Sequence, residues 1–418
     1  MVWLRIRTGG IHCDVTISPA TQPEKQAMSR EGRTARRPLK KEDTEVTHRG
    51  DYKLQSRNVN VSPPPPVGLC LDMCSEHERK ERERHGRIHP LEMQNGQLKS
   101  RHFRHGGHPT ADANRMVKEY SRPAAGKELS SPRDLRPPAT LLKTVQYLME
   151  IWENVNEQDT TSLSLAYSFV FDRLRAVRQD LTVQRISGTE GAPVLEGSLG
   201  FLLCSPYLVR DLPLEDYNET LHSTQVRESF AGLMDCYSRG GRFPRQTEFH
   251  ALLLLYDLGN MDAMHRALQL PHIILNSPEI RLALDINRSY LEKNWVRLFR
   301  LVCKLDCLKA CAFYRHLPDC RNQAIRIYTN AYSSRNCRFP LGNLTCLLAV
   351  DSPSRVSNMC KIRGLQVTSG EEEFVLFHKA SFKDVDLECS GREIQLVEAK
   401  KEDLSWAKVM MGHQMCSV

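Results

Sequence analysis

From Thr140 onward, apolar residues return every three or four positions, and that spacing commits most of the chain to amphipathic α-helix. Leu141, Leu142, Val145, Leu148, Met149 and Trp152 fall on one face of a helix that begins just after Pro137-Pro138. Tyr167, Val170, Phe171, Leu174, Val177 and Leu181 repeat the pattern, as do Val226, Phe230, Leu233, Met234 and Tyr237. Phe249, Leu252, Leu253 and Tyr256 continue it, followed by Trp295, Leu298, Phe299 and Val302. Short polar turns such as Gly240-Gly241 and Leu258-Gly259-Asn260 separate these runs. The expectation is a mainly α fold in which antiparallel helix pairs stack into a solenoid or bundle over 140–335, with no fixed-period repeat.

The flanks have other textures. Residues 1–66 are polar, basic and turn-rich, end in Pro63-Pro64-Pro65-Pro66, and read as a disordered basic tail. The 67–139 stretch reads as extended and charged, with a helix opening near Glu76. Over 336–385, Leu341 to Leu348 and Ser352 to Arg363 read as two short helices, the second opened by Ser352-Pro353. Phe374-Val375-Leu376-Phe377 and Ala380-Ser381-Phe382 would then pair as a hairpin, giving the order of a winged helix. Residues 386–418 are expected to be a C-terminal tail, partly helical.

Charge narrows the partners. Residues 1–104 hold 20 Lys/Arg against 13 Asp/Glu, so seven of the chain's eight net positive charges lie in its first quarter. An acidic partner such as RNA would first be sought there. No apolar run approaches the roughly 18 residues that a membrane span needs, and Met1 to Cys13 is too interrupted by Arg5, Arg7, Gly9 and Gly10 for a signal-peptide core. An intracellular chain with reduced cysteines is expected, most of them packed in the core, as at Cys204, Cys346 and Cys360.

Several blocks carry a resemblance. Gly68-Leu69-Cys70-Leu71-Asp72-Met73-Cys74-Ser75-Glu76 with Glu78-Arg79 resembles the opening motif of the Sac/GANP family, scaffolds of nuclear transcription and mRNA export. Val117 to Ala125 with Tyr120, Leu135-Arg136-Pro137, and Phe171-Asp172-Arg173-Leu174-Arg175-Ala176-Val177-Arg178-Gln179-Asp180-Leu181 agree in order. Leu71 and Ser75 stand where the family usually has prolines. The resemblance runs from about Val67 to Asp384 and is strongest to the short animal member built around an isolated Sac domain. It implies helical repeats ending in a winged helix, the PCI architecture, and a non-enzymatic role. It also implies pairing with another PCI-type subunit and, in the export complex, RNA contact. The short member's place is centrosome duplication and spindle assembly, hence cytoplasm, centrosome and spindle, with the nucleus as the export alternative.

Candidate sites compete with plainer readings. Cys70-x3-Cys74-x10-His85-x3-His89 has zinc-finger ligand types, but its middle is short and Glu78 to Arg84 supplies only charge. Packing of Cys70 and Met73 against the helical body is the favoured alternative, so no metal, cofactor or small-molecule substrate is expected. Cys303, Cys307 and Cys311 recur at helical spacing and read as one core face rather than ligands. His102, His105 and His108 form a glycine-flanked cluster expected in solvent. Arg79, Lys80, Arg82 and Arg84, with Arg355, Lys361 and Arg363 near the wing, are the candidate nucleic-acid or partner contacts, opposed by Glu371-Glu372-Glu373. Arg173, Arg175, Arg178 and Asp180 read either as a binding edge or as local ion pairs with Asp172 and Asp180. No phosphate loop, His-Glu-x2-His pair or Gly-x-Ser-x-Gly elbow occurs.

Overall fold

The computed structural model describes residues 6–8, 11–13, 64–93, 111–122, 131–156, 159–334, 336–385 and 391–412. It separates into two units, 1–62 and 63–418. In the first, β1 (Ile6–Thr8) and β2 (Ile11–Cys13) pair antiparallel with Thr8 opposite Ile11. Gly9-Gly10 stands between them, the composition of a two-residue hairpin connection. Apart from 64–66, the rest of the segment expected to be disordered lies outside the described residues, as do His102, His105 and His108.

In the second unit, α1 (Glu76–Arg84) opens at Ser75, whose hydroxyl accepts the Glu78 N–H. Next come α2 (Pro138–Glu153), α3 (Thr160–Gln184), α4 (Gly188–Leu208), α5 (Glu219–Ser238) and α6 (Gln246–Tyr256). The series continues with α7 (Met261–Leu268), α8 (His272–Leu275), α9 (Pro278–Leu291), α10 (Trp295–Val302), α11 (Cys307–Tyr314) and α12 (Leu317–Ala331). No helix among the described residues is long and apolar enough to cross a membrane.

Helix α4 is apolar on every side, and α2, α3, α5 and α11 pack around it. A second layer is built by α6, α9 and α10. The periodic positions read from sequence face this core: Leu141, Val145, Val170, Val177, Val226, Leu233, Phe249, Leu252 and Leu298 are fully buried.

The winged helix follows. β3 (Phe339–Pro340), α13 (Leu341–Leu347), α14 (Pro353–Ile362), β4 (Gln366–Val367) and β5 (Phe374–Leu376) occur in that order. Their antiparallel sheet runs β3-β5-β4. The hairpin expected between Phe374–Phe377 and Ala380–Phe382 is therefore replaced. Its first strand is β4, and 380–382 is irregular backbone. The reason lies at Gly364, whose φ of 74° turns the chain out of α14 early enough to form β4. Thr368 then ties the base of the loop: its N–H donates to the Phe374 carbonyl, and its hydroxyl accepts the Phe374 N–H.

The described part of 386–418 does not run free. Leu396 and Val397 are buried, and α15 (Trp406–Met411) lies across α2 and α4. A Cβ at Gly200 would stand 2.3 Å from the Met410 carbonyl oxygen, so the glycine is what lets the two backbones meet. Two cysteine expectations are corrected as well. Cys346 is exposed on α13, and Cys303 is exposed because α10 ends at Val302 and a new helix, capped by Asp306, starts at Cys307. Cys303 thus shares no helix face with Cys307 and Cys311.

Candidate functional site

The segment before α2 forms an arm laid on α3, and its joint is polar at the centre. Gly68 N–H donates to Gln184 Oε1 at 2.7 Å, and a Cβ there would sit 2.6 Å from the Leu135 carbonyl oxygen. Gln184 returns two bonds, from Nε2 to the carbonyls of Arg136 and Asp180. Asp180, fully buried on α3, meets Lys118 Nζ at 2.7 Å and Arg136 Nε at 2.8 Å. It does not pair with the arginines of its own helix, contrary to the local-pair reading; those turn to other faces while the arm supplies its cations.

A second buried carboxylate, Glu92, receives Arg82 and Arg173 and also the backbone N–H groups of Val117 and His89. Arg82 adds a 3.1 Å bond to the Val117 carbonyl. Arg82 is 1% exposed, so it cannot serve as the surface contact expected of it. Arg173 also pairs with Asp172 at 2.5 Å, as the local reading expected, and Asp172 accepts the Tyr120 N–H. Arg79 turns inward to Asp72 and the Cys74 carbonyl. Lys80 and Arg84 remain exposed, Lys80 pairing with Glu76 one turn away.

The four zinc candidates do not converge. Cys74 packs with Ile88 and Met116 in a small separate core, and burial pushes its thiol up. Cys70 donates from Sγ to the Asp72 carbonyl. His85 is exposed at the end of α1, and His89 lies 4.7 Å from the Phe169 ring, its Nδ1 accepting the Leu91 N–H. Burial, then the nearby Arg173, push His89 down to about 4. No cluster of three or more metal-type side chains occurs among the described residues.

Beyond the arm, α3 and α5 both rest on α4 but diverge from each other. The groove between them holds about 690 Å³ and is lined by Tyr120, Arg175, Arg178, Arg185, Leu195 and Gly232, among others. Arg175 stacks on the Tyr120 ring at 3.9 Å. Arg178 faces Glu228 at 2.5 Å without the alignment of a hydrogen bond. Gln179 holds the arm at the rim through the Ser121 carbonyl.

At the winged helix, Arg363 is 1% exposed and donates to Asn322 of α12 and to the Met359 carbonyl, which removes it from the expected contact surface. Arg355 binds Glu393 at 2.8 Å, and Arg321 grips the same carboxylate together with the Leu348 and Ala349 carbonyls. Lys361 alone of the three wing candidates is exposed, and Glu371, Glu372 and Glu373 lie exposed in the β4–β5 loop. Lys118, Gln184, Arg321 and Glu393 escaped the sequence reading, as did the buried role of Glu92. Glu92 had a signal that could have found it, its place three residues after His89 in a capping box, and Lys118 lies within the Val117 to Ala125 block.

The model described as SAC3/GANP family matches residues 73–369. SAC3 family protein 1 of Schizosaccharomyces pombe is 27% identical over 373 residues, covering 83% of this chain and 35% of that protein. Protein xmas of Drosophila melanogaster is 26% identical over 347 residues, 80% of this chain and 16% of its own length. SAC3 family protein B of Arabidopsis thaliana is 24% identical over 356 residues, with shares of 80% and 20%. The chain thus spans about a third or less of these relatives.

Proposed function

The chain belongs to the SAC3/GANP family, and we propose that it is a non-enzymatic scaffold whose helical body and winged helix dock a second PCI-type protein. Its place of work in this reading is the centrosome and spindle of dividing cells, in the service of centrosome duplication and mitotic progression. The observation that carries the docking role is the joint at Glu393. Arg321, Arg355 and the segment after Gly391 tie the winged helix to α12 and α4, which makes body and wing one presentable surface. The cellular process rests on the motif resemblance, with Cys70, Asp72, Arg136 and Asp180 as its residues.

A second reading, an RNA-binding scaffold of nuclear mRNA export, draws on the exposed Lys80, Arg84 and Lys361. Two features weigh against the wing as a phosphate site: Arg355 and Arg363 are committed internally, and three glutamates lie exposed in the β4–β5 loop. Imaging of the tagged chain through the cell cycle separates the readings. Signal at centrosomes and spindle poles is expected, and exclusive nuclear-pore staining would contradict it. For RNA, binding of the purified chain to poly(U) should be absent at moderate salt. A salt-dependent affinity that Lys361→Glu weakens would favour the second reading.

A further inference from the structure

We infer that the groove between α3 and α5 is a docking site for a peptide segment of a partner protein, one that sets a carboxylate beside a bulky apolar side chain. The surface lies on α3, α4 and α5, outside the winged helix, and so goes beyond the docking proposed above.

The floor is apolar: Leu195 of α4 with Ile186, Leu181 and Val183 at the end of α3. It is open because α5 carries Gly232 there; a Cβ would only just touch Leu195, at 3.4 Å. Glycine in the middle of a helix costs about 1 kcal/mol relative to alanine, so α5 keeps this space against its own propensity. Such a floor suits a leucine- or phenylalanine-sized group.

The walls are charged unevenly. Four arginines (Arg175, Arg178, Arg185 and Arg239) face two carboxylates, Glu228 and Asp235. The two carboxylates are already matched, Glu228 to Arg178 and Asp235 to Arg239. Arg175 and Arg185 are left over, and neither side chain forms an ion pair or hydrogen bond among the described residues. Arg175 is also held flat by the Tyr120 ring, and its Nε is buried without a partner. A planar guanidinium fixed in place with unused donors matches a carboxylate, which it can take bidentately. Arg185, exposed and in left-handed backbone at the end of α3, adds a second cation at the mouth. A phosphate backbone fits less well, since the carboxylates of Glu228 and Asp235 line the same walls and would repel it.

The test is selection of short random peptides displayed on phage against the full chain. Enriched sequences should combine Asp or Glu with Leu or Phe. A synthetic copy should bind Arg185→Glu at least about tenfold more weakly, a difference near 1.4 kcal/mol. Gly232→Phe should abolish binding while Gly232→Ala retains it, and Lys361→Glu should leave it unchanged, which keeps this site apart from the winged helix. Melting curves confirm that each variant is folded; Arg185, being exposed, carries the test if Gly232→Phe does not fold. The inference is overturned if selection yields nothing that both the Arg185 and Gly232 variants weaken, if the enriched peptides are basic, or if poly(U) displaces them.

Discussion

The arm on α3 and the body around α4 are held by opposite means. The arm is fixed by two buried carboxylates, Asp180 and Glu92, each shared between two cations, with backbone N–H groups of Val117 and His89 adding further bonds to Glu92. The body is fixed mainly by apolar side chains, from Leu199 and Phe201 in α4 to Ile280 and Ile286 in α9, and buried charges such as Glu196, which accepts the Tyr237 O–H, are a minority there. Apolar packing is non-directional and tolerates adjustment, whereas a buried ion pair demands one geometry and punishes loss of either partner. The arm is therefore the part of the molecule whose position is specified most sharply, and it is also where the family motif lies.

The largest effect should come from breaking the arm. Asp180→Ala leaves Lys118 and Arg136 buried without a counter-charge and should cost about 3–5 kcal/mol. A lowered melting temperature checks it, together with early proteolysis of the arm ahead of α2. Because the lattice is buried, raising the salt concentration should hardly change wild-type stability.

Acid should strike the body more than the arm. His222 is buried between Tyr167, whose O–H donates to Nδ1, and the Leu202 carbonyl, to which Nε2–H donates. Burial first pushes His222, His250 and His316 each down to about 4. The unfolded chain would bind those protons near 6.5, so the stability they contribute is full above that pH and is lost as pH falls toward 4. Melting temperatures from pH 7 to pH 4.5 should decline across that window. A flat profile would mean that these rings are hydrated.

Within the body, Ile286→Val removes one methyl from the α9 layer and should cost only about 0.5–1.5 kcal/mol, with no change in arm proteolysis. Smallest and opposite in sign is Gly232→Ala, which should stabilise α5 by up to about 1 kcal/mol, since the new methyl meets Leu195 at ordinary contact distance. Chemical denaturation of both variants measures these differences.

The same contrast explains what the sequence disclosed. Apolar periodicity projects directly onto helix faces, so α2 was expected to start just after Pro137-Pro138, and Ser352-Pro353 marked the start of α14. Ionic partners have no periodicity. Asp180 takes cations 62 and 44 positions away, and nothing in the spacing joins Lys118 or Arg136 to it. Arg82 and Arg363 looked like surface cations because charged side chains usually are. Only the fold reveals Glu92 and Asn322 waiting beneath them. The winged helix was legible in its helices and in β5 but not in the partners of that strand, since strands of two or three residues carry too little pattern to fix a register.

Docking of a second PCI-type protein is tested most directly by isolating the tagged chain from dividing cells after nuclease treatment and weighing what stays bound. The expected result is one PCI-type protein at equal stoichiometry, retained by the wild type and lost when Glu393→Ala removes the carboxylate that Arg321 of α12 and Arg355 of α14 share. A chain that emerges alone, or bound only through RNA that nuclease removes, would contradict the account.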